Sequence, residues 1–420
     1  MSRKVPEGWR NIELAEVADE CRQRNTEGSL SPDALLGVFK NEGMVPMRDR
    51  VRGSDVSRYK LLPPNAFAYN PMRLNIGSIA RWTGERHALV SPDYVVFQCD
   101  ERRLSGDFLD HVRSSKDWAN FMENAGKGGV RIRIYFKDLG QFRFLLPPLS
   151  EQRRIAEILS SVDEAIAATQ AVIEQTRTVK QDVLKRLLTK GIGHTRFKQT
   201  EIGEIPQAWE LVPLERLLAS VPAPMRSGPF GSTLKKSELA EEGVPFLGID
   251  NVHIEHFVSS YRRFVTKEKF EELKRYAVRP RDVMITIMGT IGRCCVVPDN
   301  TIPALSSKHV WTMTFDQAKY IPELICWQLN FAPWVLGEFD RVAQGGVMGA
   351  INSKTLKALL LPKPPLEEQT RFLGIWQSFN ETLRIEKEKL DALVGTKSAL
   401  MSDLLTGRKR VPMAERAAIQ

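Results

Sequence analysis

The sequence predicts an α+β protein with two pseudo-repeated globular domains separated by a pair of long antiparallel coiled-coil helices. Three observations lead to this prediction. Short motifs recur in the same order in the two halves of the 420-residue chain. Two stretches of about 40 residues repeat apolar side chains at coiled-coil spacing. The remainder of each half alternates short β-rich runs with helical stretches and with turns rich in glycine, proline and asparagine.

A six-residue element, Pro-Pro-Leu-x-Glu-Gln, occurs at 147–152 and again at 364–369, an offset of 217. A register held over that distance indicates one architectural unit used twice. Two copies are too few for a solenoid, in which three or more stacked units bury a continuous core. Further matching pairs are Leu187-Leu188-Thr189 with Leu404-Leu405-Thr406 and Gly128-Gly129-Val130 with Gly345-Gly346-Val347, both at 217, and Val5-Pro6-x-x-Trp9 with Ile205-Pro206-x-x-Trp209, at 200.

A long helix is predicted after each copy of this element. No proline or glycine occurs from Ser150 to Thr189, and apolar residues recur there at alternating spacings of four and three. The same phase returns in the second half at the offset of 217, which favours a coiled-coil seam. The predicted seam consists of Ile155, Leu159, Val162, Ile166, Thr169, Ile173, Thr176, Lys180, Val183 and Leu187, and of Phe372, Trp376, Phe379, Leu383, Glu386, Leu390, Leu393, Lys397, Leu400 and Leu404.

Start and stop signals bound these helices. The two prolines prevent an earlier start, and acidic residues follow in each first turn. Ser150 is a candidate cap for the first helix, and Gly191 and Gly407 are candidate stops. Because an apolar stripe of this length needs a partner, we expect the two helices to pack against each other, antiparallel, with one domain at each end.

Domain boundaries follow from these signals. The mixed segments contain β-rich runs such as 94–97, 131–135 and 283–287, and helical stretches such as 108–122 and 268–276. The predicted division is a first domain at 1–149, a spacer helix at 150–190, a linker at 191–204, a second domain at 205–365, a second spacer helix at 366–407 and a basic C-terminal tail at 408–420.

The chain is basic, and the excess charge is clustered. The formal net charge is +9, from 60 basic and 51 acidic residues. Residues 48–86 hold eight basic and three acidic side chains, and residues 127–137 hold four basic and no acidic ones. Such clusters suit a polyanion such as DNA, although a solvated basic surface is an equally good explanation of the charge alone.

Composition also indicates the compartment. No apolar stretch approaches the roughly 18–20 residues that span a bilayer, and the first residues lack the apolar core of a signal peptide. The five cysteines show no CxxC spacing, which is typical of buried thiols in a reducing cytosol. We therefore expect a cytoplasmic protein with no membrane partner.

Catalytic signatures are missing from the sequence. It has neither a GxxxxGK[ST] phosphate loop nor an HExxH motif, and His253 with His256 is more typical of a surface turn than of a metal site. Asn70-Pro71-Met72-Arg73 resembles the Asn-Pro-Pro-aromatic motif of amino-methyltransferases, without the second proline or the aromatic residue. Asp93 and Glu101 resemble part of a metal-dependent nuclease pattern that lacks its lysine. We predict a chain with no catalytic, cofactor or metal site; the alternatives are a fused methyltransferase or nuclease using Asn70 or Asp93, and a coiled-coil scaffold without sequence specificity.

The paired motifs resemble the specificity (S) subunits of type I restriction-modification systems. The resemblance covers nearly the whole chain. It rests on the Pro-Pro-Leu-x-Glu-Gln element before each long helix and on several further motifs. These are 226–232 followed by 244–248; Asn70-Pro71, Asn75-Ile76-Gly77, Ser91-Pro92-Asp93-Tyr94 and Phe97 in the first half; and Thr290-Ile291-Gly292 and Ser306-Ser307-Lys308 in the second. Val347-Met348-Gly349 departs from the more polar loop that is common in the family.

The resemblance implies two target-recognition domains, each reading one half of a split sequence in double-stranded DNA. The paired helices would set the spacing and dock two methyltransferase (M) subunits. Those partners would bind S-adenosylmethionine and methylate adenine, and restriction (R) motor-nuclease subunits would join through the assembled complex. The chain itself would need no cofactor.

Candidate base-reading residues are basic side chains, because arginine or lysine to guanine is the commonest specific contact in the major groove. For each of them a phosphate contact or plain surface charge is the alternative explanation. The candidates are Arg73, Lys127, Arg131 and Arg133 in the first domain, and Arg226, Lys235, Lys236 and Lys308 in the second.

Overall fold

The computed structural model describes residues 5–40, 42–47, 55–125, 133–344 and 351–411. The chain divides into two compact units, Met1–Ala171 with Lys387–Gln420 (unit 1) and Val172–Glu386 (unit 2). Residues 1–149 of unit 1 are domain 1 below, and residues 205–365 of unit 2 are domain 2. Each of the two long helices contributes one half to unit 1 and the other half to unit 2.

The described strands of unit 1 are β1 (Arg10–Glu13), β2 (Ala18–Cys21), β3 (Leu36–Phe39), β4 (Gly43–Pro46), β5 (Lys60–Leu62), β6 (Phe67–Tyr69), β7 (Ile79–Arg81), β8 (Ala88–Val90), β9 (Val95–Cys99) and β10 (Arg143–Leu146). Its described helices are α1 (Gly106–Val112), α2 (Lys116–Ala125), α3 (Phe136–Leu139) and the first half of α4 (Leu149–Lys190). The central sheet is antiparallel, in the order β2-β9-β6-β7. Phe67 and Phe97 are fully buried on it and stack with ring centroids 5.0 Å apart.

The described strands of unit 2 are β11 (Phe197–Thr200), β12 (Gly203–Pro206), β13 (Glu210–Pro213), β14 (Met225–Ser227), β15 (Val244–Leu247), β16 (Val252–His253), β17 (His256–Phe257), β18 (Phe264–Val265), β19 (Ala277–Val278), β20 (Val283–Thr286), β21 (Cys294–Val296), β22 (Ala304–Ser306), β23 (Val310–Met313) and β24 (Leu360–Lys363). The described helices are α5 (Lys267–Glu272), α6 (Pro322–Phe331), α7 (Pro333–Gln344), α8 (Ser353–Ala358) and α9 (Leu366–Leu404), whose second half belongs to unit 1.

The two domains repeat the same core. The sheet β14-β23-β20-β21 of domain 2 has the strand order and antiparallel pairing of β2-β9-β6-β7 in domain 1. A left-handed residue precedes the third strand of each sheet, Asn65 (φ 63°) in one and Arg281 (φ 67°) in the other. The backbone N–H of each donates across the following hairpin, to Trp82 (2.9 Å) and to Val297 (3.0 Å). The repeat predicted from short motifs is therefore a repeat of fold.

The long helices form the predicted seam. All twenty predicted seam residues are buried or half-buried. In unit 1 the beginning of α4 packs against the end of α9, and Lys397 Nζ lies 2.5 Å from Asp163 Oδ1. In unit 2 the end of α4 packs against the beginning of α9, and Lys180 Nζ donates to Asn380 Oδ1 at 2.6 Å. Because each half of α4 meets the opposite half of α9, the pairing is antiparallel, as predicted.

The repeated Glu-Gln pair fastens each helix start to its own domain. Gln152 accepts a hydrogen bond from the Ser105 N–H (2.9 Å) and donates to the Arg103 and Pro147 carbonyls (2.8 and 2.9 Å). Gln369 accepts from the Ile321 N–H (2.8 Å) and donates to the Lys319 and Pro364 carbonyls (3.2 and 2.9 Å). Each glutamine is buried and holds the backbone just before the first helix that follows the sheet, α1 or α6.

The preceding glutamate of each copy accepts the indole N–H of the repeated tryptophan. Trp9 donates to Glu151 at 3.0 Å, and Trp209 donates to Glu368 at 2.8 Å. A basic residue just beyond the other long helix completes each pair: Arg410 donates to both oxygens of Glu151 (2.8 and 2.9 Å), and His194 lies 2.9 Å from Glu368. The Val/Ile-Pro-x-x-Trp motif is thus part of the same anchor.

Several local expectations were wrong. Ser150 lies inside the first turn of α4, which begins at Leu149. The predicted helix 108–122 is two helices, because the Ser115 hydroxyl accepts from the Trp118 N–H (3.2 Å) and starts α2. The described part of the predicted strand 131–135 contains no strand. The segment 191–204 carries β11 and the start of β12, a hairpin.

Glycine ends α4 as expected: Gly191 follows its last residue with φ 63°. Gly407, with φ 68°, lies three residues beyond the end of α9.

Within the part of the chain that the structure describes, no helix combines the length and apolarity that crossing a bilayer requires.

Candidate nucleic-acid interface

Four loops of domain 2 meet where β14, β15, β20 and β22 end. The Gly228 N–H donates to the Ser307 carbonyl (3.2 Å), and the Ser307 N–H donates to the Leu247 carbonyl (2.8 Å). The Ile287 N–H donates to the His309 carbonyl (3.0 Å). Residues 306–309 therefore form the centre of this edge, which is called the crown of domain 2 below.

The loop after β14 needs glycine at position 228. A Cβ on Gly228 would overlap the backbone carbonyl oxygen of Ser306, so a side chain here would push the loop away from β22. This close approach explains the glycine of the Arg-Ser-Gly-Pro-Phe-Gly-Ser motif. Phe230, two residues further along this loop, has 57% of its surface exposed.

Three of the predicted cations lie exposed on or near the crown. Lys308 is exposed at its centre, and Lys235 and Lys236 are exposed on the loop that continues from Phe230. The Lys235 N–H donates to Glu238, which also pairs with Lys269 at 2.9 Å, so this loop is tied to its own acid. The crown and the loop beside it therefore expose positively charged side chains at the surface of domain 2.

Two further basic residues lie at the crown and were not predicted as candidates. His309 is half-buried, and burial together with the cations Lys308 and Arg263 lowers its pKa. Arg263 is held by Asp250, from the loop after β15. Arg263 reaches this edge because β18 pairs antiparallel with β15, which places residue 263 beside residue 246. No local pattern in the sequence indicates that pairing.

The structure contradicts Arg226 as a DNA contact. Its side chain is 3% exposed and is paired with the fully buried Asp282. Its guanidinium also donates to the Ala277 carbonyl (2.8 Å) and to the Thr314 hydroxyl (3.0 Å). Burial lowers the pKa of Arg226 and raises the pKa of Asp282, and the pairing opposes both shifts. A buried, paired arginine of this kind holds β14 to the neighbouring strands and presents no charge to a ligand.

In domain 1, Arg73 and Arg133 lie on adjacent loops and are both exposed. The Ile134 N–H donates to the Pro71 carbonyl at 3.0 Å, which joins the two loops. Lys127 and Arg131 lie outside the described residues. Lys40, which was not predicted as a candidate, is exposed at the end of β3. It lies beside the loop that carries Arg73, since a Cβ on Gly77 would lie 3.8 Å from Lys40 Cγ.

Part of the basic cluster counted in the sequence is neutralised inside domain 1. Arg81 pairs with Asp107 and, at 2.7 Å, with Asp110. Lys60 donates to the Tyr94 carbonyl at 2.6 Å, and burial lowers its pKa. Charge counted along the chain therefore overstates the charge that domain 1 offers to a ligand.

Of the residues in the catalytic alternatives, Asn70 has a local role through its side chain and Asp93 through its backbone. The Asn70 side chain accepts from the Met72 N–H at 2.9 Å, which closes a tight turn. The Asp93 N–H donates to the Ser91 hydroxyl at 3.3 Å. His253 and His256 face each other across the β16–β17 hairpin. Among the described residues, no group of three or more His, Cys, Asp and Glu side chains is arranged to hold a metal ion.

Comparisons with known proteins agree with the fold. A family model, the type I restriction modification DNA specificity domain, matches residues 113–176 and 230–394. The chain is 28% identical over 416 residues to the type I restriction enzyme MjaVIII specificity subunit of Methanocaldococcus jannaschii, covering 97% of this chain and 94% of that one.

Solved structures show the same fold. The S subunit of a type I restriction-modification system from M. genitalium has a TM-score of 0.54 at 15% identity, covering 99% of this chain and 100% of that one. A chain from a study of assembly and conformational transition of the type I restriction-modification system has a TM-score of 0.61 at 18% identity, covering 97% and 100%. The chain belongs to the family of type I restriction-modification DNA specificity subunits, which confirms the resemblance and the predicted fold class.

Proposed function

We propose that this specificity subunit reads a bipartite target in double-stranded DNA, one part with each domain. The observation that carries the proposal is the structural repeat. Both domains build the same four-stranded sheet, fasten it to a long helix with the same Glu-Gln-Trp anchor, and expose basic side chains on loops that follow the sheet strands. Two copies of one reading device suit a target with two parts.

The exposed cations of each domain divide between two roles. Phosphate contacts fix the register of a protein on DNA, and contacts to base edges carry the sequence information. We assign Lys308, at the centre of the crown, and Arg73 and Arg133 to the reading surfaces. Lys235 and Lys236, on a loop tied to Glu238, are better suited to phosphates.

The helix pair would set the distance between the two parts and dock two methyltransferase subunits, through which the restriction subunits join. A seam that continues over the length of both helices supports the role of spacer. The chain would be non-catalytic and cytoplasmic, with S-adenosylmethionine bound by the methyltransferase partners. The local role of the Asn70 side chain supports this division of labour.

Methylome sequencing tests the proposal. The chain would be expressed with its methyltransferase subunit in a host free of other adenine methylation. We expect methylated adenines in a two-part motif with a fixed gap. A continuous motif would contradict bipartite reading. Methyl transfer or cleavage by the purified chain alone, abolished by Asn70→Ala or Asp93→Ala, would instead support a fused enzyme, and equal binding of cognate and random DNA would support a scaffold.

A further inference from the structure

Exposed apolar side chains gather on one edge of domain 1. Phe39, Met72, Ile76 and Tyr135 leave 46%, 47%, 54% and 44% of their surfaces exposed. Large apolar side chains exposed singly are ordinary, but a contiguous group usually marks an interaction surface.

Hydrogen bonds join the chain segments that carry the four residues. Phe39 ends β3, and the Ser78 hydroxyl donates to the carbonyl of the preceding Val38 at 3.2 Å, which places Ile76 and Gly77 beside the end of β3. The loop that holds Met72 and Ile76 closes on itself, since the Asn70 N–H donates to the Ser78 carbonyl (3.3 Å).

Tyr135 joins the same edge from another part of the chain. The neighbouring Ile134 N–H donates to the Pro71 carbonyl at 3.0 Å. The Tyr135 N–H donates to Asp138 Oδ2 at 3.1 Å, which fixes the start of α3. The four side chains are therefore presented by backbone that is held in place, and they are called the apolar patch below.

Basic side chains surround the apolar patch. Lys40, Arg73, Arg133 and Lys137 are exposed within one or two residues of its members. Among the described residues, the acids nearest to these cations in the chain are Glu42 and the half-buried Asp138, which caps α3. An apolar centre with a cationic border suits a polyanion that also offers an apolar group, and duplex DNA offers one in the major groove, the C5-methyl group of thymine.

We propose that the apolar patch reads thymine methyl groups in the major groove, beside Arg73 and Arg133, while Lys40 and Lys137 contact phosphates. This inference rests on the proposed function, because it names the chemistry with which domain 1 reads its half-site. The centre of the crown of domain 2 is a cation, Lys308, and Phe230 is one of the large apolar side chains that domain 2 exposes. We expect thymine methyl groups to matter most in the half-site that domain 1 reads.

Deoxyuridine tests the inference, because it differs from thymidine only in lacking that methyl group. The full-length chain, assembled with its methyltransferase subunits, would be titrated with the duplex found by methylome sequencing. Deoxyuridine would replace thymidine in one half-site at a time. In the half-site that domain 1 reads, we expect the removal of each contacted methyl group to weaken binding about fourfold, which is the effect of losing one buried methyl group. Substitution in the other half-site should change the affinity little.

Variants assign the effect to the apolar patch. Met72→Ala and Ile76→Ala should weaken binding to the thymidine duplex and remove most of the deoxyuridine effect. Phe230→Ala, also an exposed apolar truncation, should leave that effect unchanged. Unchanged thermal midpoints would verify that the variants fold.

The inference would be overturned if the thymidine and deoxyuridine duplexes bound with equal affinity, or if Met72→Ala and Ile76→Ala left the deoxyuridine effect intact. It would also be overturned if one half-site contained only G·C pairs and deoxyuridine in the other half-site had no effect. Each of these leaves specific bipartite binding in place. Loss of the proposed function would look different, since cognate and random duplexes would then bind equally.

Discussion

Gln152 and Gln369 give a physical reason for the repeated sequence element. Each glutamine is buried and uses its carbonyl oxygen and both amide hydrogens on backbone groups of its own domain. A shorter or apolar side chain would leave these backbone groups without their partner in a site that excludes water. The motif thus fixes where each domain begins relative to its helix.

We predict that Gln152→Ala or Gln369→Ala lowers the free energy of unfolding by about 3 kcal/mol, from the loss of several buried hydrogen bonds worth about 1 kcal/mol each plus unsatisfied backbone groups. Urea unfolding of the full chain measures it. Arg153→Ala, at an exposed neighbouring position, is the control and should change little. If Arg153→Ala lowered the free energy of unfolding as much as the glutamine changes do, the glutamines would not act as structural anchors.

His111 makes unit 1 sensitive to acid. It is buried, its Nε2 lies 3.1 Å from the Ser160 hydroxyl, and burial lowers its pKa although Asp163, whose carboxylate is 3.9 Å away, opposes this. Lys397 also disfavours the proton, whereas Asp110 favours it. Below about pH 6.5 the unfolded chain therefore takes up a proton that the folded chain refuses.

We predict that the stability owed to neutral His111 is present above pH 6.5 and is lost as the pH falls through the lowered pKa of the folded state. Thermal unfolding at pH 7.5 and pH 5.5 measures the loss. His111→Gln should reduce it, because the amide does not titrate, whereas His87→Gln, at an exposed position, should leave it unchanged. A wild-type loss equal to that of His111→Gln would refute this assignment.

At the scale of elements, the seam could be predicted from the sequence because its periodicity is local and long. The same holds for strands β9 and β20, which coincide with β-rich runs. Arg226 could not be placed, because its burial depends on Asp282, 56 residues away in the chain. The break between α1 and α2 was not predicted, because it depends on a single short-range contact. The Ser115 hydroxyl caps α2 by accepting from the N–H three residues later, and no change in apolar spacing marks the break.

Lys180 shows how a charged residue is accommodated in the seam. Its Nζ lies 3.5 Å from the centre of the Trp376 ring and 3.5 Å from Glu255 Oε2, which comes from the turn between β16 and β17. Glu255 has φ 59°, and burial raises its pKa against the opposing effect of Lys180. The lysine therefore joins both helices to a hairpin of domain 2.

We predict that Lys180→Met lowers the free energy of unfolding by about 2 kcal/mol or more, because it leaves a partly buried carboxylate without its cation. Adding Glu255→Gln should restore part of the loss, which a double-mutant cycle measures. Lys185→Met, at an exposed position of the same helix, is the matched control. Strictly additive effects of the two changes would show that the ion pair carries no coupling.

At the scale of the whole molecule, the sequence predicted two copies of one domain and an antiparallel helix pair, and both are present. The candidate DNA-binding residues were predicted less well: Arg73, Arg133, Lys235, Lys236 and Lys308 are exposed, as a DNA contact requires, whereas Arg226 is buried. Exposure at a loop edge depends on strand register and on the loops that meet there, which no local pattern encodes. The role of the helices as a spacer stays a prediction.

Insertion of one heptad into each long helix tests that role most directly. Seven residues lengthen a helix by roughly 10 Å, about three base pairs of DNA, and they restore the phase of the seam. One heptad would be added within 155–187 and a matched one within 372–404, and the methylome of the variant would be sequenced. We predict that both half-sites stay the same and that the gap between them grows by about three base pairs. A changed half-site with an unchanged gap would contradict the account.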